Sequence, residues 1–195
     1  HQDAVNHLPN AEKNALTKEI PLKPKLPPLP NLNERKFVKA WTMKDFEGEL
    51  KLPAKFADGQ KLFTQSLCSR CHRVGTQGFA VGPDLTQVGS RFGARDILEA
   101  ILDPSKAVAE NYQTHILTLT DGKVLAGMIV PQLDYRARSL LIAPNPIDAG
   151  KTIEVPKNKL KSHKRSVVSL MPPGLLNTLS REEVLALVAW LQNGG

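Results

Sequence analysis

The chain has few cysteines, few aromatic residues and no long hydrophobic run. Two cysteines among 195 residues are too few for a disulfide scaffold, and aromatic residues make up only 5%. The longest apolar run, Val184 to Leu191, has eight residues, whereas a membrane-spanning helix needs about 20. Because 41% of the residues are apolar, the chain can still bury a core, and its composition excludes global disorder.

The N-terminal part of the chain is rich in proline. Five prolines lie between Ile20 and Pro30, and such a stretch favours extended polyproline II over a helix. We therefore separate residues 1–52, a Pro-rich linker or strap, from a domain at residues 53–195. Both a flexible linker and a strap packed on the fold are compatible with this composition. Near His1 no basic stretch precedes an apolar one, so we expect any export signal to be absent from this chain.

Three segments have the pattern of helices. Apolar residues at helical spacing predict a first helix from about residue 53 to residue 69. A second helix, at residues 94–102, is terminated by Asp103-Pro104. The last helix begins with a capping box formed by Ser180 and Glu183.

Between the second and third helices the hydrophobic period becomes strand-like. Asp121-Gly122 is a two-residue hairpin signal between apolar segments at 114–120 and 123–130. Further strand candidates lie at residues 138–143, 151–155 and 165–169. We therefore predict a mainly α fold with a small antiparallel β insertion at about residues 112–168.

Cys68-Ser-Arg-Cys71-His72 has the C-x-x-C-H pattern to which haem c is attached. Each thiol adds to a vinyl group, and a tight turn after a helix brings the next imidazole under the iron. A zinc site needs further ligands at close spacing, and the chain has no other cysteine. A thioredoxin-type dithiol needs a preceding strand, where a helix is predicted instead. The motif therefore predicts one covalent haem c with His72 as an iron ligand.

Gly82-Pro83 lies about ten residues beyond His72. The carbonyl oxygen of Pro83 can accept the Nδ1–H of the imidazole, which would fix its tautomer and its basicity. An ordinary Gly-Pro turn explains these residues equally well. Pro83 is therefore a candidate cofactor-site residue for which both interpretations remain open.

The other axial position of the iron has several candidate ligands. They are three methionines and two histidines: Met43, Met128, Met171, His115 and His163. Met171 lies in a Pro-containing loop just before the capped helix, where a thioether can reach the distal face of the haem. Met128 is expected in a core, Met43 lies in a charged stretch, and the two histidines are expected on solvated strands. We therefore predict Met171 as the second ligand.

Taken in order, these motifs resemble a class I cytochrome c, in which an N-terminal and a C-terminal helix cross beside the haem. Gly59 and Phe63 would then meet Trp190. A longer set of residues resembles a haem-binding domain family common in planctomycete and verrucomicrobial bacteria. The residues that carry this resemblance are Gly59, Leu62-Phe63, Cys68-x-x-Cys71-His72, Gly82-Pro83-Asp84-Leu85-Thr86, Arg91, Ile101-Leu102-Asp103-Pro104-Ser105, Tyr112, Asp121-Gly122-Lys123, Gly127, Ser169-Leu170-Met171-Pro172 and Gly174-Leu175.

The resemblance covers about residues 55–193, and the β insertion is part of that family's pattern. It implies covalent haem, ligation by His72 and Met171, and electron transfer. The combined prediction is a mono-haem c-type cytochrome, periplasmic or otherwise exported, that transfers one electron without catalysis of its own. The chain would be free-standing or a domain of a larger oxidoreductase.

Two other functions remain open from the sequence. One is a haem site that binds or turns over a small ligand, such as peroxide or a diatomic gas, which would require a displaceable sixth ligand. The other is an interaction module in which the haem is structural. Optical spectra with and without carbon monoxide or cyanide would separate these functions.

The approach to Met171 is positively charged. No acidic residue lies between Val155 and Arg181, and five cations precede Met171: Lys157, Lys159, Lys161, Lys164 and Arg165. Such a surface would steer an acidic redox partner towards the haem edge, while a solubilising strand edge has the same composition. No recognition element for nucleic acid accompanies these residues. We therefore expect a partner protein with an acidic docking surface, no nucleic acid and no transmembrane segment.

Overall fold

The computed structural model describes residues 35–132, 134, 136–145 and 151–194. The Pro-rich stretch therefore lies outside the described residues. The helices are α1 (Gly59–Gln65), α2 (Ala94–Leu102) and α3 (Arg181–Gln192). The strands are β1 (Arg73–Val74), β2 (Gln77–Gly78), β3 (His115–Leu119), β4 (Val124–Val130), β5 (Ser139–Ala143), β6 (Ile153–Pro156) and β7 (Leu160–Arg165).

Helices α1 and α3 pack directly against each other. Gly59 permits their close approach, because a Cβ atom at this residue would lie 2.1 Å from the Cβ atom of Trp190. The ring centroids of Phe63 and Trp190 are 5.3 Å apart. The predicted meeting of Gly59 and Phe63 with Trp190 is therefore confirmed.

The main core joins the three helices to the segment that precedes α3. Its completely or almost completely buried side chains include Phe46, Phe63, Leu98, Leu176, Leu179 and Leu187. Cys68 belongs to the same cluster. The C-x-x-C-H motif is thus anchored on the largest apolar cluster among the described residues.

The larger sheet has the strand order β6-β5-β4-β3-β7, and all neighbouring strands are antiparallel. Its two edge strands, β6 and β7, are joined by a single 3-10 turn at Lys157–Lys159. The sheet must therefore curl to bring these edges together at that end. The curl encloses a second, smaller core formed by Leu117, Ile142 and Val155.

The prediction of a mainly α fold is wrong. The three α-helices among the described residues have only 7, 9 and 12 residues, and they accompany two antiparallel sheets. Helix α1 begins at Gly59 because the amide of Gly59 already closes a turn with the carbonyl of Phe56, at 2.9 Å. It ends early because Leu67 has a φ of 64°, in the left-handed region. The helical spacing from Phe56 to Leu67 thus spans a short helix and two turns.

The predicted hairpin at Asp121-Gly122 is confirmed, because the amide of Gly122 bonds to the carbonyl of Leu119 at 3.0 Å. The bounds predicted for α2 and the start predicted for α3 are also confirmed. The strand predicted at residues 165–169 is wrong, since the strand at this place is β7, at Leu160–Arg165. As an edge strand with mostly exposed side chains, β7 has no alternation of apolar residues by which the sequence could reveal it.

Candidate haem-binding site

The C-x-x-C-H residues form one compact turn after α1. The left-handed conformation of Leu67 reverses the chain, and a 3-10 turn follows at Cys68–Arg70. The amides of Cys71 and His72 both bond to the carbonyl of Cys68, at 3.1 and 2.9 Å. Both thiols are free. The turn therefore brings the two thiols and the imidazole close together without a disulfide.

The imidazole of His72 has a fixed orientation. Its Nδ1 atom lies 2.8 Å from the carbonyl oxygen of Pro83, which is one of the two interpretations that the sequence left open. Because a carbonyl oxygen only accepts hydrogen bonds, Nδ1 is the protonated nitrogen and Nε2 keeps its lone pair. Burial lowers the pKa of His72, and the hydrogen bond to Pro83 opposes this effect. The side chain is thus neutral and able to bind a metal through Nε2.

Gly82 packs against the His72 ring. A Cβ atom at Gly82 would lie 2.7 Å from Cε1 and 3.0 Å from Nδ1 of the imidazole. The amide of Gly82 also bonds to the carbonyl of Cys71 at 2.7 Å. The backbone of this loop therefore forms one wall of the imidazole site, in a place that no larger residue fits.

Asp84 stabilises the loop that contains Pro83. Its carboxylate accepts hydrogen bonds from Arg73 Nε and from the amide of Thr86, both at 2.9 Å. The hydroxyl of Thr86 in turn accepts a hydrogen bond from the amide of Gly75 at 2.8 Å. The hydrogen bonds from Thr86, followed by that from Arg73, hold the pKa of Asp84 well below its ordinary value. From the sequence, Asp84 and Thr86 are named only as part of a family resemblance and have no assigned role, although Asp84-Leu85-Thr86 has the pattern of an Asx turn.

The two cysteines have environments that suit neutral sulfur atoms. Cys68 is buried, and burial raises the pKa of its thiol to about 12. Burial also raises the pKa of the half-buried Cys71. Neither side chain is therefore a reactive thiolate at neutral pH. A thioether has no charge to desolvate, so this environment fits covalent attachment better than a dithiol redox centre.

A buried donor beside the cysteines has no partner among the described residues. Nη2 of Arg70, between Cys68 and Cys71 in the motif, is buried without a hydrogen bond. Buried donors are normally satisfied. This Nη2 atom is therefore a donor for which the described residues provide no acceptor.

The candidates for the second axial ligand fall into three groups. Met43 and Met171 are half-buried and pack against the main core. His115 and His163 instead contact each other on β3 and β7, with Nδ1 of one 2.6 Å from Nε2 of the other. Met128 lies on β4 and is in neither core cluster. The structure thus brings two of the methionines to the cluster that contains Cys68.

Two hydrogen bonds fix the loop of Met171. The amide of Met171 donates to the hydroxyl of Ser169 at 3.1 Å. The amide of Ser169 donates to the hydroxyl of Ser105, just beyond α2, at 3.1 Å. The loop is therefore linked to the helical part of the domain and not only to the sheet that precedes it.

A tight C-x-x-C-H turn beside a helix crossing, with the imidazole bonded to a carbonyl oxygen, is the arrangement expected of a haem-binding domain of the c type. The family model described as Cytochrome c matches residues 56–123. This match supports a c-type cytochrome domain over these residues, and a domain of that kind implies covalently bound haem c and haem-based electron transfer. No curated protein matches the chain. The narrower bacterial family stays a prediction.

The family match includes α1, Cys68, Cys71, His72 and Pro83, whereas Met171 lies beyond its end. Within the part of the chain that the structure describes, no helix has the length and hydrophobicity to cross a bilayer.

Proposed function

We propose that this chain is a mono-haem c-type cytochrome that transfers one electron between partner proteins. The observation that supports this most directly is the orientation of His72, whose Nδ1 bonds to Pro83 and whose Nε2 is left for the iron. A haem bound there supplies an iron centre that accepts and releases a single electron. One haem is expected because the chain has only one pair of cysteines.

In this proposal the residues of the site have separate roles. Cys68 and Cys71 form the thioether bonds, His72 is the proximal ligand, and Met171 is the distal ligand. Pro83 keeps the imidazole in the tautomer that binds metal. No residue has to act as an acid, a base or a nucleophile, so the chain has no catalytic activity of its own.

The proposed location is the periplasm or another exported compartment. Cytochrome c domains commonly occur there, and the family match over residues 56–123 supports this location. A domain of this kind is either free-standing or the electron-transfer part of a larger oxidoreductase.

The proposed docking surface is the positive region that precedes Met171. Lys157 and Lys159 lie on the turn between the edge strands, and Lys161 and Lys164 lie on β7. All four are exposed, whereas Arg165 forms an ion pair with Glu110 at 3.0 Å. Val167, Val168 and Leu170 are exposed between β7 and Met171. An acidic partner with an apolar contact area would match this surface.

Mass spectrometry under denaturing conditions tests the attachment. Protein matured in the periplasm should have the added mass of one haem, and this mass should be lost in the double variant Cys68→Ser, Cys71→Ser. An unmodified chain after maturation with a positive-control cytochrome would contradict the proposal.

Optical spectroscopy tests the distal ligand and the function together. Met171→Ala should lose the near-infrared sulfur-to-iron band and bind carbon monoxide in the ferrous state, while Met43→Ala and Met128→Ala keep the band. If Met43→Ala loses the band instead, Met171 is not the ligand. If the holoprotein without any substitution binds carbon monoxide readily, the site is a ligand-binding haem.

Stopped-flow measurements test the docking surface. Reversal of Lys159, Lys161 and Lys164 to Glu should slow electron transfer with an acidic partner at low salt and leave the haem spectrum unchanged. Reversal of Lys44, Lys51 and Lys55 provides a control with the same change in charge. Equal effects of the two triple variants would contradict a specific surface.

A further inference from the structure

Residues 35–46, which we call the strap, pack along the segment that connects Met171 to α3. The amides of Val38 and Lys39 both donate to the carbonyl of Asn177, at 2.8 and 3.2 Å. The indole Nε1 of Trp41 donates to the carbonyl of Leu179 at 3.0 Å. Backbone and side chain of the strap therefore bind the same short stretch of chain, six to eight residues after Met171.

Arg35 connects three parts of the domain at one end of the strap. Its guanidinium donates to both carboxylate oxygens of Glu183, in the first turn of α3, at 3.0 and 2.9 Å. It also donates to the side-chain oxygen of Gln65, the last residue of α1, at 2.8 Å. A longer contact of 3.3 Å reaches the carbonyl of Thr178. Bidentate pairing of this kind fixes direction as well as distance.

Phe46 anchors the other end of the strap. Its side chain is completely buried in the main core, and its ring centroid lies 5.3 Å from that of Trp41. The guanidinium of Arg181, the first residue of α3, lies 5.5 Å from the Phe46 ring centroid. The strap is therefore attached at both ends to the start of α3.

The segment that the strap covers has no regular structure of its own. Between the end of β7 and the start of α3 the described chain has neither an α-helix nor a strand. Irregular segments open more readily than helices or strands, because fewer backbone hydrogen bonds oppose their opening. The hydrogen bonds from the strap to Asn177 and Leu179 therefore supply part of the stabilisation that regular secondary structure would provide.

We propose that the strap is a positioning element that keeps the Met171 loop closed over the haem and so controls how readily the distal ligand leaves the iron. This inference rests on the proposed ligation by Met171. A thioether is a weak ligand, so its residence on the iron depends on the free energy of opening of the loop that contains it. Loss of strap contacts lowers that free energy and favours the open loop.

The test uses holoprotein with the substitutions Arg35→Gln and Trp41→Phe. Arg35→Gln removes the charge-assisted hydrogen bonds to Glu183, and Trp41→Phe removes the N–H donor while it keeps an aromatic ring. Each should raise the rate of cyanide binding to the ferric protein by about 5- to 30-fold, the range expected when one or two such hydrogen bonds are lost. Hydrogen exchange of the amides from Leu175 to Leu179 should become faster in both variants.

The controls separate this role from a general loss of stability. Lys106→Gln removes a cation that bonds to Glu99, on α2, without contact with the strap, and it should leave both rates unchanged. Arg35→Lys keeps the charge, so its rates of cyanide binding and hydrogen exchange should lie between those of the original protein and those of Arg35→Gln. If Arg35→Gln and Trp41→Phe behave as Lys106→Gln does, the strap has no positioning role and the inference is wrong.

The same data distinguish failure of the inference from failure of the proposed function. If Met171→Ala loses the near-infrared band and the strap variants change neither rate, only the strap inference is overturned. If Met171→Ala keeps the band, ligation by Met171 is overturned, and the strap's effect on the iron with it.

Discussion

At the scale of single residues, the site depends on how closely backbone approaches the His72 ring. Gly82 lies against the imidazole with no space for a Cβ atom, and the carbonyl of Pro83 bonds to Nδ1. One neighbour thus determines where the ring lies, and the other determines which nitrogen carries the proton. Their effects on stability and on ligation should therefore be measurable separately.

Gly82→Ala tests the steric wall. The added Cβ atom would lie 2.7 Å from Cε1 of His72, so the ring or the loop must shift, and overpacking of this kind costs about 1–3 kcal/mol. We expect lower thermal stability of the holoprotein and a changed reduction potential.

Gly93→Ala is the control, because the nearest atom to its Cβ would lie at an ordinary contact distance of 3.4 Å. It should cost about 1 kcal/mol or less, as expected for a change at a helix N-cap, with the potential unchanged. Equal effects of the two substitutions would show that the wall at Gly82 is unimportant.

At the scale of elements, the start of α3 unites capping and tertiary contact. The hydroxyl of Ser180 accepts from the amide of Glu183 at 3.2 Å, and the carboxylate of Glu183 accepts from the amide of Ser180 at 2.9 Å. The same carboxylate binds Arg35. The helix therefore begins where the strap is attached, and one acidic side chain takes part in both.

Glu183 should make stability depend on pH. Its pKa is lowered from the ordinary value of 4.5, first by the hydrogen bond from Arg35. A lowered folded-state pKa means that the stabilisation is complete above about pH 4.5 and is lost as the pH falls through the lowered value. Glu183→Gln should therefore cost about 1 kcal/mol at pH 7, and the difference from the unmodified protein should shrink on acidification.

Urea unfolding at a series of pH values measures this difference. Arg35→Gln should give the same convergence, because it removes the chief cause of the pKa shift. A difference that grows as the pH falls would contradict the assignment.

At the scale of the whole molecule, the described residues form two separate apolar clusters. The main core contains the helices, Cys68 and Phe46, whereas the smaller core lies inside the curled sheet around Leu117 and Ile142. The sheet is also where His115 and His163 contact each other. The core of the sheet therefore shares no residue with the cluster that contains the haem-binding turn.

Leu117→Ala tests this separation. Leu117 is completely buried, and replacement of a buried leucine by alanine costs about 2–5 kcal/mol. The haem spectrum and the near-infrared band should stay unchanged at temperatures where the protein is folded. Val124→Ala on the same sheet, at a side chain that is 61% exposed, should have little effect. A changed haem spectrum in folded Leu117→Ala protein would show that the two cores are coupled.

How much of the site could be predicted depended on how far apart the participating residues are in the chain. The contact between His72 and Pro83 spans eleven positions, and a rigid proline limits where its carbonyl can lie. By contrast, nothing near Arg35 in the sequence indicates that it binds Glu183, 148 positions away. The pairing of β7 with β3 could not be predicted either, for a different reason. The polar residues of this edge strand have no distinctive pattern.

The sequence by itself determined the parts that depend on local geometry: the C-x-x-C-H turn, the Asp121-Gly122 hairpin, α2 and the capped start of α3. These depend on residue types within a few positions of one another, where allowed dihedral angles and short hydrogen bonds leave few alternatives. Only the tertiary structure decided the balance of helix and strand, the curl of the sheet and the packing of the strap. These arise from the burial of apolar surface between distant segments, which depends on how the whole chain packs and leaves little trace in any one stretch.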